Sequence, residues 1–241
     1  MGLSIWAVGI SAIVASGSAF AADLDLPTHK APPPPPSAFT WTGFYVGGYA
    51  GYGWARSTAT DIGDPFGTPW YILGHEFSTA PTSFTGGGEV GYNYQWGQFV
   101  VGAEADVGYF NHHGSALYDN TPGHSDTSII ASGDMNSTLR GRLGFAVDRA
   151  LVFATGGVAA TNATARVVSF SSFISPNADL QWGWTIGGGL EYAVTNNWSI
   201  KGEYLHDDFG QSDVTLANTT YRFRIRSTDD AIRLGVNFRF N

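Results

Sequence analysis

From Phe44 onward, apolar and polar residues alternate with a period of two, in runs of about ten residues. Val90, Tyr92, Tyr94 and Trp96 take turns with Glu89, Gly91, Asn93 and Gln95. Phe99, Val101, Ala103, Ala105, Val107 and Tyr109 oppose Gly102, Glu104 and Asp106. Leu139, Leu143, Phe145 and Val147 oppose Arg140, Arg142 and Gly144. Trp182, Trp184, Ile186, Leu190 and Tyr192 oppose Thr185, Gly187, Gly189 and Glu191. Trp198, Ile200 and Tyr204 oppose Ser199, Lys201 and Glu203. Ile232, Leu234, Val236, Phe238 and Phe240 oppose Arg233, Gly235, Asn237 and Arg239. Successive side chains of a strand point to opposite faces, so each run predicts a strand with one apolar and one polar face. Phe44–Trp54 reads as a further strand, with Tyr45 and Tyr49 among glycines on its second face. Leu151–Ala160 is apolar on both faces, and its inward side is left open.

The links between runs carry the topology. Short ones at Gln95–Gln98, Val147–Ala150 and Thr195–Trp198 alternate with long ones at roughly Ser57–Ser83, Asn111–Gly133, Thr164–Asp179 and Asp208–Tyr221. Seven links join eight strands, with both ends of the chain on the short-turn side. The expected fold is all-β, an eight-stranded antiparallel up-and-down transmembrane β-barrel with tight periplasmic turns and long outside loops.

Closed sheets also occur in water with an apolar interior, and here charge distinguishes the two cases. The polar faces hold five acids, Glu89, Glu104, Asp106, Glu191 and Glu203. They also hold five bases, Arg140, Arg142, Lys201, Arg233 and Arg239. Such a balance is required in a narrow lumen, where an unpaired buried charge costs about 3–5 kcal/mol, and not on a solvated surface. The opposite faces carry almost no charge, as lipid contact demands. On those same faces, Trp96, Phe99, Tyr192, Trp198, Phe238 and Phe240 fall near the short turns. Trp54, Phe84, Tyr109, Trp182 and Tyr204 fall near the long links. Two aromatic girdles at the membrane–water interfaces are the expected reading.

Composition narrows the function classes. The chain has 241 residues, formal net charge −8 and no basic run, which argues against nucleic acid as a partner. It has no cysteine, so disulfides and thiolate metal sites are excluded. A mean hydropathy of −0.06 is too polar for a bundle of membrane helices. Leu3–Phe20 is uncharged and ends in Ala19-Phe20-Ala21, so residues 1–21 read as an export signal cleaved after Ala21. Residues 22–40 include the proline run Pro32–Pro36 and read as an extended periplasmic spacer, leaving residues 41–241 as the barrel domain.

Thr40–Ala55 (TWTGFYVGGYAGYGWA), the Gly-rich strand around Gly187–Gly189 and the closing Ile232–Phe240 (IRLGVNFRF) resemble a known family. It is that of the small alphaproteobacterial outer-membrane β-barrel proteins of the RopB type, with its Brucella and rhizobial surface antigens and Bartonella hemin-binding barrels. The resemblance implies a surface protein of the Gram-negative outer membrane, in contact with outer-membrane lipid and lipopolysaccharide. It implies delivery by the barrel-assembly machinery and support of envelope integrity and surface interactions. It does not imply a settled enzymatic activity, and the chain is expected not to be an enzyme. Related proteins also imply a tether to peptidoglycan through the freed α-amine of Ala22. The alternatives are a small-solute porin and a hemin or metal receptor. No cofactor is expected, and the oligomeric state is not legible.

Other motifs weigh little. Gly86–Gly91 fits G-x-G-x-x-G, but an alternating strand follows it where a nucleotide site needs a helix. His112, His113, Asp119, His124 and Asp126 cluster in one long link without the spacing of a defined metal site. His206, Asp207, Asp208, Asp229 and Asp230 flank the last link without a serine or cysteine nucleophile. Arg222, Arg224 and Arg226 alternate with Tyr221, Phe223 and Ile225, and the run's parity slips before Asp230, which implies a bulge or bend there. These arginines would either bind lipopolysaccharide phosphates or pair with Asp207, Asp208 or Asp213.

Overall fold

The computed structural model describes residues 39–69, 72–111, 113–117, 127–169, 173–174 and 181–240. Eight long strands run up and down: β1 (Gly43–Gly63), β3 (Thr82–Trp96), β4 (Phe99–Phe110), β7 (Met135–Val147), β8 (Ala150–Thr161), β11 (Gln181–Ala193), β12 (Trp198–Thr215) and β13 (Arg222–Phe240). Short strands β2 (Glu76–Thr79), β5 (Gly114–Leu117), β6 (Thr127–Ser132), β9 (Thr164–Ser169) and β10 (Phe173–Ile174) lie between them. Each long strand pairs antiparallel with the next, and β13 pairs with β1 from Phe44↔Phe240 to Gly63↔Arg222, which closes the barrel. Closure pairs every edge, the condition for strands to cross lipid.

The short turns close tightly at Trp96↔Phe99 and Val147↔Ala150, using Gly97 and Asp148 at positive φ. Glycine is required inside β11. A Cβ on Gly189 would strike the Gly202 carbonyl and the Glu203 backbone of β12, so only a bare backbone permits this approach.

The outward face is apolar and exposed, from Leu139 and Leu143 to Leu234 at 71%. Alternate residues turn inward and are buried. The undecided strand Leu151–Ala160 points Leu151, Phe153, Thr155 and Ala159 inward and Val152 and Val158 outward. Its apolar inner end packs on Trp41, Val100, Ala146 and Ala193. Both faces of this strand therefore meet apolar surroundings, lipid on one side and a hydrophobic plug on the other.

Among the described residues, the regions expected as long links are largely strand. β1, β12 and β13 run on beyond Trp54, Tyr204 and Asp230, β2 joins β1 from Ser57↔Thr79 to Thr60↔Glu76, and β5, β6, β9 and β10 form a four-stranded sheet. The two sets of strands share a second core of Ala59, Phe77, Ile129, Ala165, Val167 and Phe223 with Val214, Leu216 and Ile225. The expected bulge before Asp230 is absent, because β13 keeps one parity from Phe223 to Phe240. Its even-numbered face passes from lipid to water, so Ile232 gives way to Thr228, Arg226 and Arg224 without a change of side. The bulge lies on β12, between Asp208 and Gln211, where Gly210 has φ 72°.

Candidate functional site

The inward faces converge on a lumen filled by side chains. Parity places the charged positions inward, and hydrogen bonding across the barrel fixes them. Arg140 of β7 binds Glu104 and also contacts Asp106 Oδ2 at 3.0 Å and Glu203 Oε2 at 3.3 Å. Arg142 binds Glu191 and lies 3.9 Å from the ring of Phe153. Lys201 Nζ contacts Glu89 at 2.7 Å, Glu104 at 3.0 Å and Glu203 at 3.5 Å. Arg233 pairs with Asp106 at 3.2 Å and lies 4.5 Å from the ring of Tyr49. Neutral donors complete the shell. Tyr45 donates to Glu104 at 2.6 Å, Tyr49 to Asp106 at 3.3 Å, and Ser199 to Glu191 at 2.5 Å, while Thr138 donates to Asp106.

Arg239, expected in the same network, sits apart. It is buried at the short-turn mouth, donates to Thr40 O at 2.9 Å and lies 4.4 Å from the ring of Trp41, with no carboxylate ion pair among the described residues. Trp41 is fully buried there, its backbone N–H donating to Gln95 Oε1 at 2.7 Å. The sequence reading missed this plug because Trp41 precedes the first alternating run.

It also missed acids at the other end. Asp207 and Asp229 are buried, and Asn136 donates to Asp207 at 3.0 Å. Extending the parity of Glu203 and Arg233 by four residues would have found both. The balance of five acids and five bases therefore does not hold level by level. The middle of the lumen has the five acids with Arg140, Arg142, Lys201 and Arg233, Arg239 stands at the short-turn mouth, and the loop end adds further acids.

Carboxylate oxygens of Glu89, Glu104 and Glu203 lie close enough together to hold a metal ion. The Lys201 ammonium stands among them and already supplies the positive charge. His113 approaches Asp134 at 3.5 Å in an exposed setting, while His112, Asp119, His124 and Asp126 fall outside the described residues. Gly86–Gly91 lies within β3, with no helix after it. Arg224 and Arg226 pair with Asp213 and Asp208 at 2.8 and 2.7 Å. Beyond the membrane-spanning part, the hydrogen bonds from Arg224 hold the Asp213 carboxyl below the usual aspartate range.

The aromatic positions all lie on the outer face. Trp54, Tyr109, Trp182 and Tyr204 are exposed toward the loop end. Trp96, Phe99, Tyr192, Trp198 and Phe240 are exposed near the short turns, with Phe238 half-buried between Trp198 and Phe240 at 5.0 and 5.2 Å.

Residues 11–240 match the family described as outer membrane protein beta-barrel domain. The chain is 31% identical to the 31 kDa outer-membrane immunogenic protein of Brucella melitensis biotype 1, over 98% of this chain and 99% of that one. It is 30% identical to the 22 kDa outer membrane protein of Rhizobium leguminosarum bv. viciae, over 84% and 80% of the two chains. Among solved structures it is similar to the outer membrane protein OprG of Pseudomonas aeruginosa, with TM-score 0.55, 14% identity and coverage of 84% and 98%.

Proposed function

The chain belongs to the family of outer-membrane β-barrel domain proteins, and from that premise we propose that it is a closed, non-conducting surface element that stiffens the envelope and presents its capped end to the outside. One observation carries this reading: the inside is occupied at successive levels, by Trp41 at the short-turn mouth, by the Arg140–Glu104–Lys201 network in the middle, and by the strand-built cap beyond. Cross-lumen ion pairs join strands far apart in the barrel and resist its deformation, since separating them leaves buried charges unpaired.

In this proposal residues 1–21 direct export and residues 22–40 form a periplasmic tether, with the freed amine of Ala22 joined to peptidoglycan. The assembly machinery inserts residues 41–241, and lipopolysaccharide surrounds the outer girdle. Planar-bilayer recording of the purified folded protein tests the closed state. No steady conductance is expected, and reproducible unitary openings would replace this reading with the porin one. Mass spectrometry of purified muropeptides tests the tether, which is refuted by finding Ala22 only as a free amine. The hemin or metal reading is tested by titrating the protein with hemin before and after replacing His112, His113 and His124.

A further inference from the structure

Just beyond the outer girdle, the outward faces of β1, β12 and β13 form a polar cleft of about 340 Å³, near the lower limit for small-molecule sites. Its rows follow from register. Arg56 lies opposite Thr228, Arg226 lies between Thr58 and Gln211, and Arg224 lies between Thr60 and Asp213. Trp54, opposite Asp230, marks the girdle one step below Arg56. Two residues of strand rise about 7 Å, and the headgroup layer is about 5–8 Å deep on each side of the hydrocarbon, so Arg56 stands at headgroup level.

The charges there are arranged for an anion. Asp230, on the lipid side, is held by Tyr204 at 2.5 Å and His206 at 2.8 Å. Asp213 and Asp208 engage Arg224 and Arg226, and Glu76 approaches the Thr60 hydroxyl at 3.5 Å. Arg56 has no ion-pair partner among the described residues, and Arg226 spends one terminal nitrogen on Asp208 while more than half of its side chain stays exposed. Two guanidinium groups with free donors, flanked by Thr58, Thr228 and Gln211, suit a phosphate carried on a sugar. The arginines bind the phosphate by charge-assisted contacts, while Gln211, Glu76 and the threonine hydroxyls meet ring hydroxyls.

We propose that this cleft binds the phosphorylated sugar headgroup of a glycolipid in the outer leaflet. The proposal rests on the outer-membrane, cap-outside orientation proposed above, and gives that surface a defined lipid contact.

The test uses the full mature protein folded in phosphatidylcholine nanodiscs. It is titrated with a deacylated glucosamine disaccharide bisphosphate, with the same disaccharide lacking phosphate, and with inorganic phosphate. Binding of the bisphosphate alone is expected, weakened about tenfold or more by combined Arg56→Gln and Arg226→Gln. Arg166→Gln, the same type of substitution on the exposed face of β9, should leave it intact, affecting it far less than either Arg56→Gln or Arg226→Gln alone. The proposal is overturned if wild-type protein does not bind the bisphosphate, if the double variant binds it equally well, or if inorganic phosphate or the bare disaccharide binds as tightly. Gel mobility before and after heating reports folding of each variant. Protease access on intact cells reports the orientation separately, so failure of that reading is distinguishable from failure of the site.

Discussion

Lys201 Nζ lies 2.7 Å from Glu89 Oε2, a contact that crosses the lumen from β12 to β3, two strands that are not neighbours in the barrel. The same ammonium serves Glu104 and Glu203, which Arg140 also holds, so of the three carboxylates Glu89 is the one whose ion pair rests on Lys201 alone among the described residues. Lys201→Met keeps most of the stem and removes the charge. Its expected cost is about 3–5 kcal/mol, because Glu89 stays buried without its cation. Urea midpoints of heat-sensitive gel mobility measure it. Adding Glu89→Gln should recover part of the loss, and single and double variants with the wild-type midpoint would contradict the strut.

Trp41 closes the short-turn mouth without touching the central ion pairs. Trp41→Ala should destabilise by about 3–5 kcal/mol, as large-to-small changes in packed cores do. It should still leave the protein non-conducting, since the Arg140–Glu104 layer remains. Bilayer recordings of this variant separate the two layers, and steady current would mean that the tryptophan alone is the barrier.

Much of this arrangement was legible from alternation, and the rest was illegible for identifiable reasons. Glu104 and Arg140 could be placed inside because each sits on a polar face opposite an apolar one, and the turn lengths ordered their strands. The pairing of β6 with β9, from Thr127↔Ser169 to Ser132↔Thr164, joins two different links, and no local pattern specifies such a partner. Leu151 and Phe153 gave no inward signal because both are apolar and pack on the Trp41 plug, with the Arg142 guanidinium over Phe153 supplied by another strand. Asp207 and Asp229 flank the last link, where the parity of the neighbouring strands was not carried through.

The exposed pair at the outer hairpin gives a pH dependence with a definite sign. Arg224 donates to Asp213 from Nε at 2.8 Å and from Nη2 at 3.0 Å, and this lowers the Asp213 pKa in the folded state. A lowered folded value contributes stability that is present above the unfolded pKa of about 3.9 and is lost as pH falls through the folded value. Solvent exposure keeps the contribution small. Carboxyl-carbon NMR should find Asp213 titrating below the other exposed aspartates, and Arg224→Gln should return it to the ordinary range. An unmoved midpoint would assign the shift to something other than Arg224.

The cap has its own core, so it should fail separately from the barrel. Phe223 is fully buried and meets Phe77 edge-on at 6.0 Å, above the level at which β13 leaves lipid. Phe223→Ala removes that ring from a cluster whose other buried members, Phe77 apart, are small or branched side chains, and a loss of about 3–5 kcal/mol is expected within the cap. The barrel below is held by closed strand pairing and by ion pairs that Phe223 does not touch. Heat-modified mobility should therefore persist, while β2, β5 and β6 become sensitive to protease added to intact cells. Local opening of this kind belongs to the least protected unit of a structure. If the variant lost its folded mobility at the same denaturant concentration at which its cap became cleavable, cap and barrel would be one cooperative unit, and the second core would have to be counted as part of the first.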